Sequence, residues 1–133
     1  MTPYDSADAP HGPRLLIADD DPVVASMLAM QLAHEFVLVP VASDADEAIA
    51  IAGAHRPDVA IVDVQMPAGG GLRVTRELQR CSPRTAIVVL SVDESEASVR
   101  EIIAAGATAY VRKQAHTKDL AHMLHRAIAA VGS

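Results

Sequence analysis

The sequence predicts an α/β fold: a doubly wound parallel sheet of five strands, with five helices covering its two faces. Three observations lead there. From Arg14 onward, short runs rich in Val and Ile, each too short for a helix, alternate with longer amphipathic segments. The runs are almost continuously apolar instead of alternating, as strands buried on both faces of a parallel sheet must be. Acidic and polar residues stand at their carboxyl ends, the edge where open α/β sheets gather functional groups.

Residues 1–13 (MTPYDSADAPHGP) hold three prolines and no apolar period, and read as a mobile leader. The first strand is RLLIAD (14–19). Asp21 followed by Pro22 forms an N-cap and first helical position, opening a helix through Val24, Met27, Leu28 and Gln31 toward His34. FVLVPV (36–41) is the second strand, and Ser43-Asp44 opens a second helix through Ala54. DVAIVD (58–63) is the third strand. The glycines at 69–71 lack the Lys-Ser/Thr of a phosphate-binding loop and read as a flexible connection. A third helix spans about Leu72–Arg80 and leaves at Ser82-Pro83. TAIVVLS (85–91) is the fourth strand. The fourth helix covers about Glu94–Ala105, turning Val99, Ile102 and Ile103 inward before a stop at Gly106. TAYVR (108–112) is the fifth strand. The last helix, about Thr117–Val131, puts Leu120, Met123, Leu124, Ala127, Ile128 and Val131 on one stripe. Residues 14–131 are thus expected to form one domain, with 132–133 as its end.

Composition narrows the function. A chain of 133 residues, half of them hydrophobic, can bury roughly two thirds of its unfolded surface but has no room for a second catalytic domain. A formal charge of −6 argues against this domain gripping a nucleic-acid backbone, which needs clustered positive charge. The single cysteine, Cys81, excludes a disulfide framework and suits a reducing compartment, where it reads as a passive thiol. The longest apolar runs, such as FVLVPVA at 36–42, are far too short to span a membrane, and no basic-then-apolar signal segment opens the chain. A cytoplasmic domain is expected.

The strand ends carry the chemistry. Strand one ends in Asp19-Asp20-Asp21, strand three in Asp63, strand four in Ser91, and strand five in Arg112-Lys113. In a parallel sheet these side chains arrive at one edge. Two carboxylates about 4 Å apart repel by roughly 4 kcal/mol at an effective dielectric near 20, so such a cluster calls for a counter-charge. Mg²⁺ suits one or two carboxylates plus waters and phosphate oxygens; Lys113 adds a point positive charge and Ser91 a hydroxyl. The set would allow phosphoryl transfer onto a carboxylate. Asp21 reads mainly as a helix cap. His122 and His125, three apart on the last helix, could hold a metal but read better as a solvated face, because no third ligand accompanies them.

The motifs IADDD (17–21), IVDVQMP (61–67), VVLS (88–91) and AYVRKQ (109–114), in that order on those strand ends, resemble the receiver domain of bacterial two-component response regulators. The likeness covers about residues 14–131. It implies a flavodoxin-like fold with strand order 2-1-3-4-5. By the same resemblance Asp63 is the phosphoacceptor, supported by Met66-Pro67 at the family spacing. Asp19 and Asp20 organise Mg²⁺, Asp20 directly and Asp19 through water, and Gln65 contributes its backbone carbonyl. Ser91 is the hydroxyl that reorients toward the phosphoryl group, Lys113 the pairing ammonium, and Tyr110 the aromatic switch. The implied partner is a sensor histidine kinase or a histidine phosphotransfer protein. The implied output is a reshaped α4-β5-α5 face that can bind a target or a second copy. The domain is then no enzyme in the usual sense, though it assists its own phosphorylation and dephosphorylation.

The chain departs from the family pattern at three places. Gln114 stands where proline is common, so a trans bond and a differently shaped loop are expected, as in the helix-turn-helix output class that KQAHTKDL resembles. Gly70 replaces a polar residue and should loosen the loop after Asp63. Val92 is bulkier than usual and should narrow access to Asp63, while Gln65 and Asp93 are expected to tune phosphoryl lifetime. Two other readings stay open. Asp19 and Asp21 also fit the DxD pair of haloacid-dehalogenase-type phosphatases, and a degenerate receiver could serve only as a binding surface.

Overall fold

The computed structural model describes residues 12–91, 96–113 and 117–132. Ten elements follow one another in strict alternation. They are β1 (Arg14–Ala18), α1 (Pro22–Leu32), β2 (Val37–Leu38), α2 (Ala45–His55), β3 (Val59–Asp63), α3 (Gly70–Cys81), β4 (Ala86–Ser91), α4 (Glu96–Ala105), β5 (Ala109–Arg112) and α5 (Thr117–Gly132). The strands form one parallel sheet in the order β2-β1-β3-β4-β5. Val92, Asp93, Gln114 and the Glu94 start expected for the fourth helix lie outside the described residues.

The two-residue period of each strand divides the core into two layers. Leu15, Ile17, Val59, Ile61, Val88 and Leu90 face α1 and α5, where Leu28, Leu32, Leu124 and Ala127 meet them. Leu16, Ala18, Ala60, Val62, Ile87 and Val89 face the other way, against Ala48 and Ala52 of α2, Val74 and Leu78 of α3, and Ile102 of α4. Every residue of β3 and β4 is buried, which is why these runs carry no polar alternation.

Several sequence expectations need correction. The second strand is two residues long, not six, because Pro40 has no N–H to give the ladder. Pairing survives around the break, with Val39 N–H donating to Leu15 O at 3.0 Å and Ala42 N–H to Ile17 O at 2.9 Å. Pro13, assigned to the leader by the sequence, belongs to the sheet edge, where its O accepts from Val37 N–H at 2.8 Å; residues 1–11 of that expected leader lie outside the described residues. Met27 and Ile103 are exposed, outside the core stripes of α1 and α4.

The glycines at 69–71 form a helix start, not a loose connection. Gly69 caps α3 at φ 116°, a left-handed conformation, and Gly70 and Gly71 are buried in the first turn. A Cβ on Gly70 would stand 2.6 Å from Val64 O, and one on Gly71 2.8 Å from Asp63 O. Only bare backbone lets α3 start this close to the end of β3.

Candidate functional site: an acidic cluster at the carboxyl edge of the sheet

The β1–β3 ladder ends with the pair Ala18 and Val62. Asp19 and Asp63 are the next residues on each strand, so the register delivers their carboxylates side by side. Asp19 is fixed further by its N–H, which donates to Ala42 O at 3.0 Å, and Asp63 is held in register with Leu90 of β4. Asp20 follows Asp19 into solvent. Ligand oxygens of Asp19, Asp20 and Asp63 all lie within 4.8 Å of one another. Asp19 is 2% and Asp63 6% exposed, so two of the three negative groups are taken almost wholly out of water.

Lys113 answers that charge. Its Nζ donates to Asp63 Oδ2 at 3.0 Å and stands 3.2 Å from Asp19 Oδ2. The second contact is an ion pair without hydrogen-bond alignment, which leaves Asp19 Oδ2 buried and short of a donor. The other oxygens are better served: Asp21 N–H donates to Asp19 Oδ1 at 2.9 Å, and Gln65 N–H to Asp63 Oδ1 at 3.2 Å. Burial lifts the Asp63 carboxyl above its ordinary 3.8. The Lys113 and Gln65 hydrogen bonds offset part of that rise, and the neighbouring Asp19 charge adds to it. For Lys113 burial works downward, but the hydrogen bond to Asp63 and the charges of Asp63 and Asp19 prevail and hold the ammonium above its ordinary 10.5.

The remaining expected residues fall around this centre. Ser91, buried, ends β4, and its carbonyl accepts from Lys113 N–H at 3.1 Å. That bond ties the ends of β4 and β5 together and positions the lysine. Tyr110, half-buried, stands in register with Val89 two residues before Arg112, the partner of Ser91. Asp21 is a cap: its Oδ1 accepts from Val23 N–H at 2.9 Å and Val24 N–H at 3.5 Å, and it takes no part in the acidic cluster. The phosphatase reading, which needs Asp21 as an acid in the site, loses its second carboxylate. His125 stacks on Phe36 with ring centroids 4.8 Å apart and faces Glu35 at 3.4 Å, while His122 is exposed. No metal cluster among the described residues includes either histidine.

The donor set fits a small hard cation. Three carboxylates converge, a buried Asp19 oxygen lacks a donor among the described residues, and no described cysteine or histidine joins the cluster. The Gln65 backbone lies on the same rim, in the depression that Asp20, Met66, Pro67 and Gly70 line.

Sequence reasoning missed how the β3–α3 connection is built. Ala68 holds φ 69°, a left-handed conformation that costs a side-chain-bearing residue about 1–2 kcal/mol. Arg73 Nη1 donates to Ala68 O and to Asp46 Oδ1, both at 2.7 Å, and Ala45 N–H donates to Pro67 O at 3.1 Å. The signal available was three glycines in succession six residues after Asp63, a cost no flexible loop requires.

Comparison with known proteins agrees with this geometry. Residues 15–125 match the response regulator receiver domain family. The transcriptional regulatory protein PdtaR of Mycobacterium tuberculosis is 35% identical over 129 residues, 95% of this chain and 62% of that protein. The response regulator GacA of Pseudomonas aeruginosa is 30% identical over 118 residues, 87% of this chain and 55% of that protein. The first curated relatives are longer proteins, of which this chain spans between 42% and 62%. Among solved structures, a CheY-like receiver domain protein from Methanospirillum hungatei superposes with a TM-score of 0.85 at 20% identity, over 92% of this chain and 98% of that one. With five parallel strands in the order 2-1-3-4-5, an acidic cluster at their carboxyl ends and a family match over most of its length, this chain belongs to the response regulator receiver domain family.

Proposed function

We propose that residues 14–131 form a phosphorylation-controlled receiver in which Asp63 accepts a phosphoryl group from a phosphohistidine. The observation that carries this reading is the bridging of Asp63 and Asp19 by one ammonium, Lys113, within a cluster of three carboxylates. An Asp63 carboxylate oxygen attacks phosphorus in line. The P–N bond to the donor imidazole breaks, the imidazole keeps the bonding electrons, and an acyl phosphate remains on Asp63. Asp19, Asp20, Asp63 and the Gln65 carbonyl would hold Mg²⁺, which when bound offsets the carboxylate repulsion and the charge on the phosphoryl oxygens. Lys113 supplies the fixed positive charge that meets those oxygens as they arrive.

Ser91 and Tyr110 then carry the change outward. The Ser91 hydroxyl turns toward the new phosphoryl oxygens, Tyr110 shifts with it, and the α4-β5-α5 face adopts a second arrangement. The driving energy is the better contact of the phosphoryl group with that arrangement. The donor is a sensor histidine kinase or a histidine phosphotransfer protein. The remodelled face is the site for an output partner or a second copy, and the setting is cytoplasmic. No helix among the described residues is long and apolar enough to cross a membrane. Kinship with the transcriptional regulatory protein PdtaR supports an output in transcription, and the net charge of −6 argues against direct nucleic-acid binding by this domain.

The test is phosphotransfer profiling of the intact protein against a panel of kinases, with and without Mg²⁺, and borohydride trapping to map the acyl phosphate by mass spectrometry. Label on Asp63 that requires Mg²⁺ is expected. Label that persists in Asp63→Asn would defeat the assignment.

A further inference from the structure

We propose that Arg73 is a positioning residue for the cation seat, acting through the β3–α3 connection. The inference rests on the receiver reading above, because it concerns the segment that carries the Gln65 carbonyl. Arg73 stands outside the acidic cluster, yet two contacts join it to that segment and a third ties it to α2. Its Nη1 donates to the carbonyl of Ala68, the left-handed residue, at 2.7 Å. The same nitrogen donates to Asp46 Oδ1 at 2.7 Å, anchoring the connection to the first turn of α2. Its stem lies over Gly69 so closely that a Cβ there would meet Arg73 Cδ at 2.7 Å. A bond between main chains runs alongside, from Ala45 N–H to Pro67 O.

The connection is strained at Ala68 and would relax if released. Arg73 opposes that relaxation from one end, and the bond from Gly71 N–H to Val64 O, at 2.9 Å, closes it at the other. Both partners of the Arg73–Asp46 ion pair are well exposed, so the pair contributes little to global stability. Its effect falls on the local geometry of residues 64–69. Electrostatics and positioning therefore predict opposite signs. Removing a positive charge near an acidic site should tighten cation binding, whereas releasing the loop should weaken it.

The experiment compares the intact protein with its Arg73→Met and Arg73→Lys variants, by calorimetric Mg²⁺ titration and by amide hydrogen exchange at Gly71. Arg73→Met keeps the stem over Gly69 and removes the donor; Arg73→Lys restores a donor. The expected result is Mg²⁺ binding weaker by roughly three- to tenfold in Arg73→Met, with faster Gly71 exchange, little change in the urea midpoint, and recovery of most of the loss in Arg73→Lys. Unchanged or tighter Mg²⁺ binding in Arg73→Met, or unaltered Gly71 exchange, would overturn the proposal. If the unsubstituted protein binds no Mg²⁺, the metal reading itself fails, and Gly71 exchange alone decides whether Arg73 holds the connection.

Discussion

The Lys113 ammonium stands 3.0 Å from the Asp63 carboxylate, although fifty residues separate them in the chain. What brings them together is the β4–β5 pairing and the bond from Lys113 N–H to Ser91 O. The lysine is 16% exposed at its side chain and the two carboxylates it faces 8% and 1%, so its removal leaves negative charge unpaired away from water. Lys113→Met should destabilise the fold by about 3 kcal/mol, measured by urea unfolding at neutral pH. Its phosphotransfer rate should fall on the order of a hundredfold. Because the folded pKa of Lys113 is raised, its stabilisation is fully present below pH 10.5 and is lost as pH rises through that raised value. A Met variant as stable as the parent would contradict this account.

Asp63 loses stability in the same direction, with rising pH, but its substitution acts with the opposite sign. Its folded pKa is raised above 3.8, mainly by burial, so the fold favours the neutral acid. Stability from this group is present below pH 3.8 and declines as pH rises through the raised folded value. Asp63→Asn should therefore be more stable than the parent at neutral pH in urea unfolding, while losing phosphoacceptance. The gap should close on acidification; a gap constant across pH would point to another cause.

The start of α2 gives a pH effect in the ordinary direction for a carboxylate. Asp44 accepts from Glu47 N–H at 2.8 Å, and Glu47 Oε1 accepts from Ser43 N–H at 2.7 Å and Ser43 Oγ at 2.6 Å. The Ser43 bonds hold the Glu47 carboxyl below its usual 4.5. Its contribution is present above pH 4.5 and disappears as pH falls through the lowered folded value. Glu47→Gln should flatten acid unfolding in that window. Asp44→Ala, which removes the cap itself, should cost about 1 kcal/mol in thermal or urea unfolding.

Thr75, inside α3, is wholly buried and its hydroxyl has no hydrogen-bond partner among the described residues. Thr75→Val keeps the shape and removes the unsatisfied group, so it should stabilise by about 1 kcal/mol. A loss of stability would show that water or a moving backbone carbonyl serves the hydroxyl in solution.

At Gly71 the obstacle is backbone. An added methyl would meet Asp63 O at 2.8 Å and Val64 Cα at 3.2 Å, neither of which can swing aside. Gly71→Ala should cost about 1–3 kcal/mol and slow phosphorylation by displacing the residue after Asp63. Labelling at the parental rate in a folded variant would refute the second half.

Much of this was legible because burial writes itself into composition. β3 and β4 are enclosed on both faces, so their runs are uninterrupted Val, Ile, Leu and Ala, and the polar residues at their ends stand out. Asp19, Asp20 and Asp63 could be placed together before the fold was known, because parallel strands must end on one edge. β2 is shorter than its apolar run because it is an edge strand: Phe36 and Leu38 pack on one layer and Val39 on the other, while Pro40 interrupts the ladder, a distinction that hydrophobicity does not carry. The triple glycine was misread for a related reason. Glycine suits a loose loop and a close approach of two backbones alike, and only the neighbouring chain, Val64 and Asp63, decides between them. Arg73 left no local trace, since its partners Asp46 and Ala68 matter through three-dimensional position alone.

The extension of the β1–β3 register by one step, from Ala18 and Val62 to Asp19 and Asp63, means that main-chain hydrogen bonding acts as the ruler for the charged pair. Deleting either carboxyl group subtracts charge but does not respace its neighbour, because the gap is the pitch of the sheet. The scaffold thus keeps the place for its chemistry even in a chain that has lost it.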